Sequence, residues 1–233
     1  MFRSTCTTLL VAVVLLLGTS ALAQTPLKLG IKAGLSFYDQ TYDINVDGAS
    51  FDPGTGTGFS VGLMGDYAVT PLLAVRTELS YVQKGSKTQA EVFILTGDPP
   101  AFVVDTFVVK DRVDYVSASV IGRFSLPLLD QGFYLLAGPR LDVRVNDEYT
   151  IDGAIDEERI STGRDYESTV FGATLGLGYQ FSKGPLPKVF VAADYHLDFT
   201  DAFTQDSSDP EKVGSPDYTI RNRTILVTVG MRF

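Results

Sequence analysis

The last thirteen residues, Arg221-Asn222-Arg223-Thr224-Ile225-Leu226-Val227-Thr228-Val229-Gly230-Met231-Arg232-Phe233, decide the fold. Ile225, Val227, Val229, Met231 and Phe233 alternate with Thr224, Leu226, Thr228, Gly230 and Arg232. Alternation at period two sends one set to each face of a β-strand. A soluble sandwich would bury the apolar set and wet the other. Here the pattern recurs in seven more segments, and charged residues recur on the face opposite the apolar one. That combination predicts a transmembrane β-barrel, with lipid against the apolar face and a polar lumen against the other.

Working back from the C-terminal strand, the other seven are placed near 27–38, 57–70, 73–85, 113–126, 132–146, 168–182 and 188–200. The fifth is the clearest. Phe133, Leu135, Ala137, Leu141, Val143 and Val145 face one way, and Arg140, Asp142, Arg144 and Asn146 the other. The sixth opposes Phe171, Leu175 and Leu177 to the small residues Gly172, Gly176 and Gly178, and the seventh opposes Val191, Tyr195 and Leu197 to Asp194, His196 and Asp198. Eight is an even count, as an antiparallel barrel with both chain ends on one side requires. The predicted class is therefore all-β, an eight-stranded antiparallel up-and-down transmembrane β-barrel.

Connection lengths set the topology. Thr70-Pro71-Leu72, Leu126–Gln131 and Ser182–Pro187 are short turns with proline, and they alternate with long loops near 39–56, 86–112, 147–167 and 201–220. Outer-membrane barrels keep short turns in the periplasm and long loops outside. Within 86–112 the apolar runs Val92–Leu95 and Phe102–Val109 predict a hairpin about Gly97-Asp98-Pro99-Pro100 that extends the third and fourth strands. Aromatics near strand ends (Tyr38, Tyr67, Tyr81, Phe124, Phe133, Phe181, Phe199 and Phe233) suit interfacial girdles.

Residues 1–23 read as a cleaved export signal. Arg3 supplies the positive start, Leu9–Leu17 the apolar core and Ala21-Leu22-Ala23 the cleavage site, leaving 24–233 as one barrel domain. The only cysteine, Cys6, falls in that leader, so the expected mature chain has no disulfide and no thiolate metal site. Without Arg3, 18 basic residues face 28 acidic ones, a formal charge of −10. That balance argues against nucleic acid, whose binding needs a basic surface.

Several short motifs follow one another in order: Gly30-Ile31-Lys32-Ala33-Gly34-Leu35, Gly58-Phe59-Ser60-Val61-Gly62, Glu78-Leu79-Ser80-Tyr81-Val82-Gln83-Lys84-Gly85, Asp114-Tyr115-Val116, Ala137-Gly138-Pro139 and Gly230-Met231-Arg232-Phe233. Together they resemble the PorT-like outer-membrane β-barrel domain over essentially the whole mature chain. The resemblance implies an outer-membrane barrel without known catalytic residues, in a family one branch of which takes part in protein secretion and gliding. Terminal Phe233 also resembles the signal by which the barrel assembly machinery recognises its clients.

The charges on the lumen face form the main candidate site. Lys28, Lys32, Arg76, Lys84, Arg123, Arg140, Arg144 and Arg232 are basic, and Asp66, Glu78, Asp142, Asp194 and Asp198 acidic, with the sole histidine, His196, between two of the acids. An eight-stranded barrel has room inside only for side chains, and an unpaired buried charge costs several kcal/mol. The expectation is a structural, mutually paired plug; the competing reading is an anion-selective pore, because bases outnumber acids eight to five. His196 beside serines and acids raises a membrane hydrolase, but it falls on the lumen face, away from lipid. Acidic loops around Asp39, Asp43, Asp47 and Asp52, and Asp147–Glu167, collect oxygens without EF-hand spacing and read as solvated surface. Gly54-Thr55-Gly56-Thr57-Gly58 lacks a P-loop lysine and reads as the turn into a strand. The expected protein is non-enzymatic and carries no cofactor and no metal. Its expected partners are outer-membrane lipid, the barrel assembly machinery and an extracellular or periplasmic protein. A narrow channel and a lipid-modifying hydrolase are the alternatives.

Overall fold

The computed structural model describes residues 27–44, 54–96, 101–126, 132–152, 158–160, 166–181, 188–205 and 218–233. The expected leader, the turn tips 127–131 and 182–187, Asp47, Asp52, the 97–100 hairpin tip and the acidic stretch 153–157 lie outside them. The strands in chain order are β1 Leu27–Ile44, β2 Gly56–Ala68, β3 Leu73–Thr96, β4 Ala101–Ser125, β5 Phe133–Asp152, β6 Glu158–Ile160, β7 Thr169–Gln180, β8 Val189–Asp198, β9 Phe203–Gln205 and β10 Tyr218–Arg232. Eight of them, β1-β2-β3-β4-β5-β7-β8-β10, pair with their neighbours, and β1 pairs with β10 to close the ring. The described ring pairs are antiparallel. Closure satisfies the backbone polar groups that lipid cannot hydrogen-bond.

Each ring strand turns large apolar side chains outward, among them Leu35, Leu63, Leu79, Val120, Val143, Leu175, Val191 and Val227. The opposite parity is buried: Lys32, Ser60, Arg76, Ser117, Arg140, Thr174, Asp194 and Leu226. In water such an exterior would be an aggregation surface; in a bilayer it is the stabilising face. The band runs from Leu29 to Phe37 on β1 and from Ile225 to Phe233 on β10, which fits the roughly 25 Å apolar belt of such barrels. Aromatics mark its edges. Phe133 and Tyr179 sit 4.9 Å apart at the short-turn end, and Phe59 and Tyr81 5.4 Å apart toward the long-loop end. Tyr38 departs from the expected girdle: it points inward, 7% exposed, with its hydroxyl donating to the Thr57 carbonyl at 3.3 Å.

The long connections contain more strand than the alternation pattern reached. β3 and β4 pair from Leu73↔Phe124 to Thr96↔Ala101, twice the span a membrane crossing needs. Above the belt water wets both faces, so the strict polarity alternation lapses while backbone pairing continues. At that level Gly85 takes φ +142°, and the β4–β5 register shifts between Asp114 and Tyr115. A side chain at Gly85 would meet the Asp111 carbonyl at 1.8 Å, so the position demands glycine. β6 adds to β5 and β9 to β10 at the same end. Gly54 bridges to Lys87 and Gly56 opens β2, so this glycine-rich stretch is the turn into a strand.

Candidate functional site

Room for the lumen's large side chains comes from glycines on the facing strand. On the inward face of β7, a Cβ at Gly172 would lie 2.5 Å from an Arg140 nitrogen, and one at Gly176 2.2 Å from Asp194 Oδ1. At Gly178 it would lie 2.2 Å from Cζ of the Tyr134 ring. Into the space so made project Arg140, Asp194 and Tyr134, each no more than 2% exposed.

The charges divide into two cages. Toward the short-turn end, Lys32 Nζ meets Glu78 at 2.5 Å and Asp194 at 3.7 Å. Arg76 forks onto Asp66, with Nε at 2.6 Å and Nη2 at 3.0 Å, and its Nη1 reaches Glu78 at 3.5 Å. Arg232 donates to Asp66 at 2.9 Å and also to Gln180. Toward the long-loop end, Lys84 donates to Asp142 at 2.5 Å and to Asp198 at 3.1 Å. Arg140 lies 3.2 Å from Asp142 and donates to Asp198, while Asn222 donates to Asp198 at 3.2 Å. The cages hold three bases with three acids and two bases with two acids. In dry surroundings such balance is what keeps buried charge tolerable.

His196 is 3% exposed between the cages, one inward position from Asp194 and one from Asp198. Its Cα partners are Thr174 and Thr224, and Nδ1 has no hydrogen-bond partner among the described residues. No acid orients it and it does not reach lipid.

Three residues expected in the paired lumen lie elsewhere. Lys28 is exposed at the short-turn mouth, because the strand's first turn lies beyond the packed interior. Arg123 makes no ion pair among the described residues; its guanidinium carbon sits 4.1 Å from the Tyr134 ring centroid, a cation–π contact. Arg144 is half-buried and pairs with Asp147 at 3.5 Å, one inward position beyond Asp142 and next to the β4–β5 irregularity. Without these three the two cages stand five to five, and Asp111 and Asp114 add buried acids toward the long loops, so the excess of bases behind anion selectivity falls away.

Apolar packing in the lumen went unrecognised in the alternation, although Leu226 and Phe190 stand on the nominally polar face. Ile121, Tyr134 and Leu136 form one buried cluster, and Met64, Phe190 and Ala192 another. Arg76 lies over both Tyr134 and Phe190, at 5.5 and 5.6 Å. At the long-loop end Val113, Tyr115, Tyr166, Val170, Ala202, Phe203 and Ile220 make a cap. Glu167 donates its backbone N–H to the Ala202 carbonyl at 2.8 Å, and Ala202 to that of Ile220 at 2.7 Å, so residues beyond the strands are pinned across the opening. The interior is filled by paired charge, glycine-matched bulk and an aromatic cap. Among the described residues no three His, Cys, Asp or Glu side chains come together as a metal site.

A closed ring of eight antiparallel strands, apolar outside and charge-compensated within, defines a small integral outer-membrane barrel. The chain belongs to the outer membrane protein beta-barrel domain family, whose model matches residues 22–204. Among solved structures it is similar to Ail, the attachment invasion locus protein of Yersinia pestis, at 16% identity over 89% of this chain and 99% of that one, with a TM-score of 0.40. Neisserial surface protein A is similar at 14% identity over 88% and 97% of the two chains, with a TM-score of 0.42. The outer membrane protein W of E. coli is similar at 14% identity over 91% and 100%, with a TM-score of 0.39. No curated protein matches the sequence.

Proposed function

We propose that this protein is a non-conducting, non-enzymatic outer-membrane barrel that works through its two ends, as a surface-interaction or secretion-accessory protein of the PorT-like kind. The observation that carries the reading is the five-to-five pairing of charges in the two cages beneath the Tyr166–Phe203 cap. An open pore needs a wetted path and usually an excess of one sign. Here the buried charges are engaged by one another and the glycine clearances are filled. The hydrolase alternative is disfavoured by His196, whose nearest ring strands contribute threonines rather than an orienting acid. Purified protein in planar bilayers is expected to show no steady conductance. Uniform, anion-selective channels would sink the reading and install the pore in its place. The same proposal takes Gln24 as the mature N-terminus, which intact mass of the exported protein tests directly.

A further inference from the structure

We propose that the short-turn mouth of the barrel docks an acidic segment of a periplasmic protein, held by Lys28, Arg123 and Lys188. This rests on the reading above for the direction in which the mouth faces. The lumen cages pair five bases with five acids, and these three cations stand outside that compensation. Lys28 and Lys188 are exposed and make no ion pair among the described residues. Arg123 touches only the Tyr134 ring, and its buried Nε has no hydrogen-bond partner there. All three are at one end: Lys28 is the second residue of β1, Lys188 immediately precedes β8, and Arg123 lies two residues from the end of β4. The carboxylate opposite Lys28 in register, Asp66, is already taken by Arg76 and Arg232. The mouth therefore carries three cations that the ion pairs of the lumen cages leave unengaged.

The placement selects the ligand. Around the ring, β8 and β1 are two strands apart, β1 and β4 three, and β4 and β8 three, so the cations encircle the opening. Each occupies a lumen-parity position, sharing a face with Lys32, Ile121 or Phe190. A ligand must then arrive along the barrel axis rather than from the lipid plane. One small oxyanion cannot touch three sides of the opening, whereas an extended chain bearing several carboxylates can. Arg123, its guanidinium carbon over the Tyr134 ring, offers a planar fork suited to a carboxylate.

The test uses the full chain folded in nanodiscs of zwitterionic lipid and titrated with fluorescein-labelled octa-aspartate, read by anisotropy. Binding is expected to be saturable and weakened by salt, with an octa-glutamine peptide inert. Lys28→Gln, Arg123→Gln and Lys188→Gln should each weaken it about two- to fivefold, and the triple change by about tenfold or more, as partly exposed charge contacts do. Lys87→Gln and Lys110→Gln, at the long-loop end, should leave it unchanged. Because none of the three cations makes an ion pair among the described residues, and Arg123→Gln gives up one ring contact, the variants should keep the heat-modifiable gel mobility of a folded barrel. Undiminished binding by a folded triple variant overturns the proposal. Full displacement by inorganic phosphate at equal charge overturns it in favour of a small-anion site, and loss of peptide binding in anionic-lipid nanodiscs overturns it in favour of headgroups. Conductance in planar bilayers would remove the plug reading while leaving peptide binding intact, so the two failures are distinct.

Discussion

Asp142→Ala tests the compensated lumen most sharply. Asp142 is wholly buried and faces Lys84 Nζ at 2.5 Å and Arg140 Nη1 at 3.2 Å. At an effective dielectric of about 20, unit charges at those separations attract by about 7 and about 5 kcal/mol. Most of that attraction offsets the cost of desolvating three ions, so the gross figures are not the loss. Removing one partner leaves two cations sharing Asp198, and breaking a buried pair in this way costs about 3–5 kcal/mol. Equilibrium unfolding by urea in lipid vesicles measures it. The chain has no tryptophan, so far-UV circular dichroism and gel mobility must report the transition. The double change Lys84→Met/Asp142→Leu removes one ion of each sign at similar volume and should recover most of the loss, because an apolar replacement of a buried pair is often neutral. A single variant within about 0.5 kcal/mol of wild type, or a double variant no better than the single, would refute the reasoning.

Leu175→Arg and Val227→Arg, whose side chains are each 50% exposed to lipid, should each cost about 2–4 kcal/mol near the bilayer midplane. Thr174→Arg and Thr228→Arg, one residue away and buried in the lumen, should instead disturb assembly through crowding; similar behaviour of the two series in vesicle unfolding would contradict the assigned facing. Gly178→Leu drives a side chain into the Tyr134 ring and should cost about 1–3 kcal/mol by overpacking, visible as a lower urea midpoint. Phe233→Ser removes an outward aromatic whose backbone N–H still donates to the Leu29 carbonyl at 2.8 Å. It should slow folding in cells that carry the assembly machinery and leave refolding into vesicles nearly unchanged; equal effects in both would remove the assembly-signal role.

Facing was legible in the sequence because lipid outside and polar groups inside give opposite preferences to adjacent residues. In β5, Leu135, Val143 and Val145 against Arg140 and Asp142 state their faces without reference to any neighbour. The same rule failed where its cause is absent. Above the belt, water wets both faces, so the tall pairing of β3 with β4 carried no clean alternation and was legible instead from the apolar runs Val92–Leu95 and Phe102–Val109. Phe190 and Leu226 sit on the inward face as packing, and alternation alone does not distinguish an apolar filler from a misplaced residue.

Partner choice belonged to the closed ring. Lys32 with Glu78 spans 46 residues and Arg232 with Asp66 spans 166. Those contacts depend on which strands adjoin and how far each is staggered. Arg144 has the same parity and the same unbroken register as Arg140 and Asp142, yet it pairs with Asp147 near the loops rather than with the cage those two share. Lys28 and Arg123 likewise carry the sign and spacing of lumen residues, yet one lies past the packed interior and the other rests on an aromatic ring. Side-chain direction is a property of the strand and can be read along it. The sequence by itself therefore determined which residues turn inward. Which charges find each other, and which are left at the mouth, was decided only when eight strands closed around too little space to leave any of them apart.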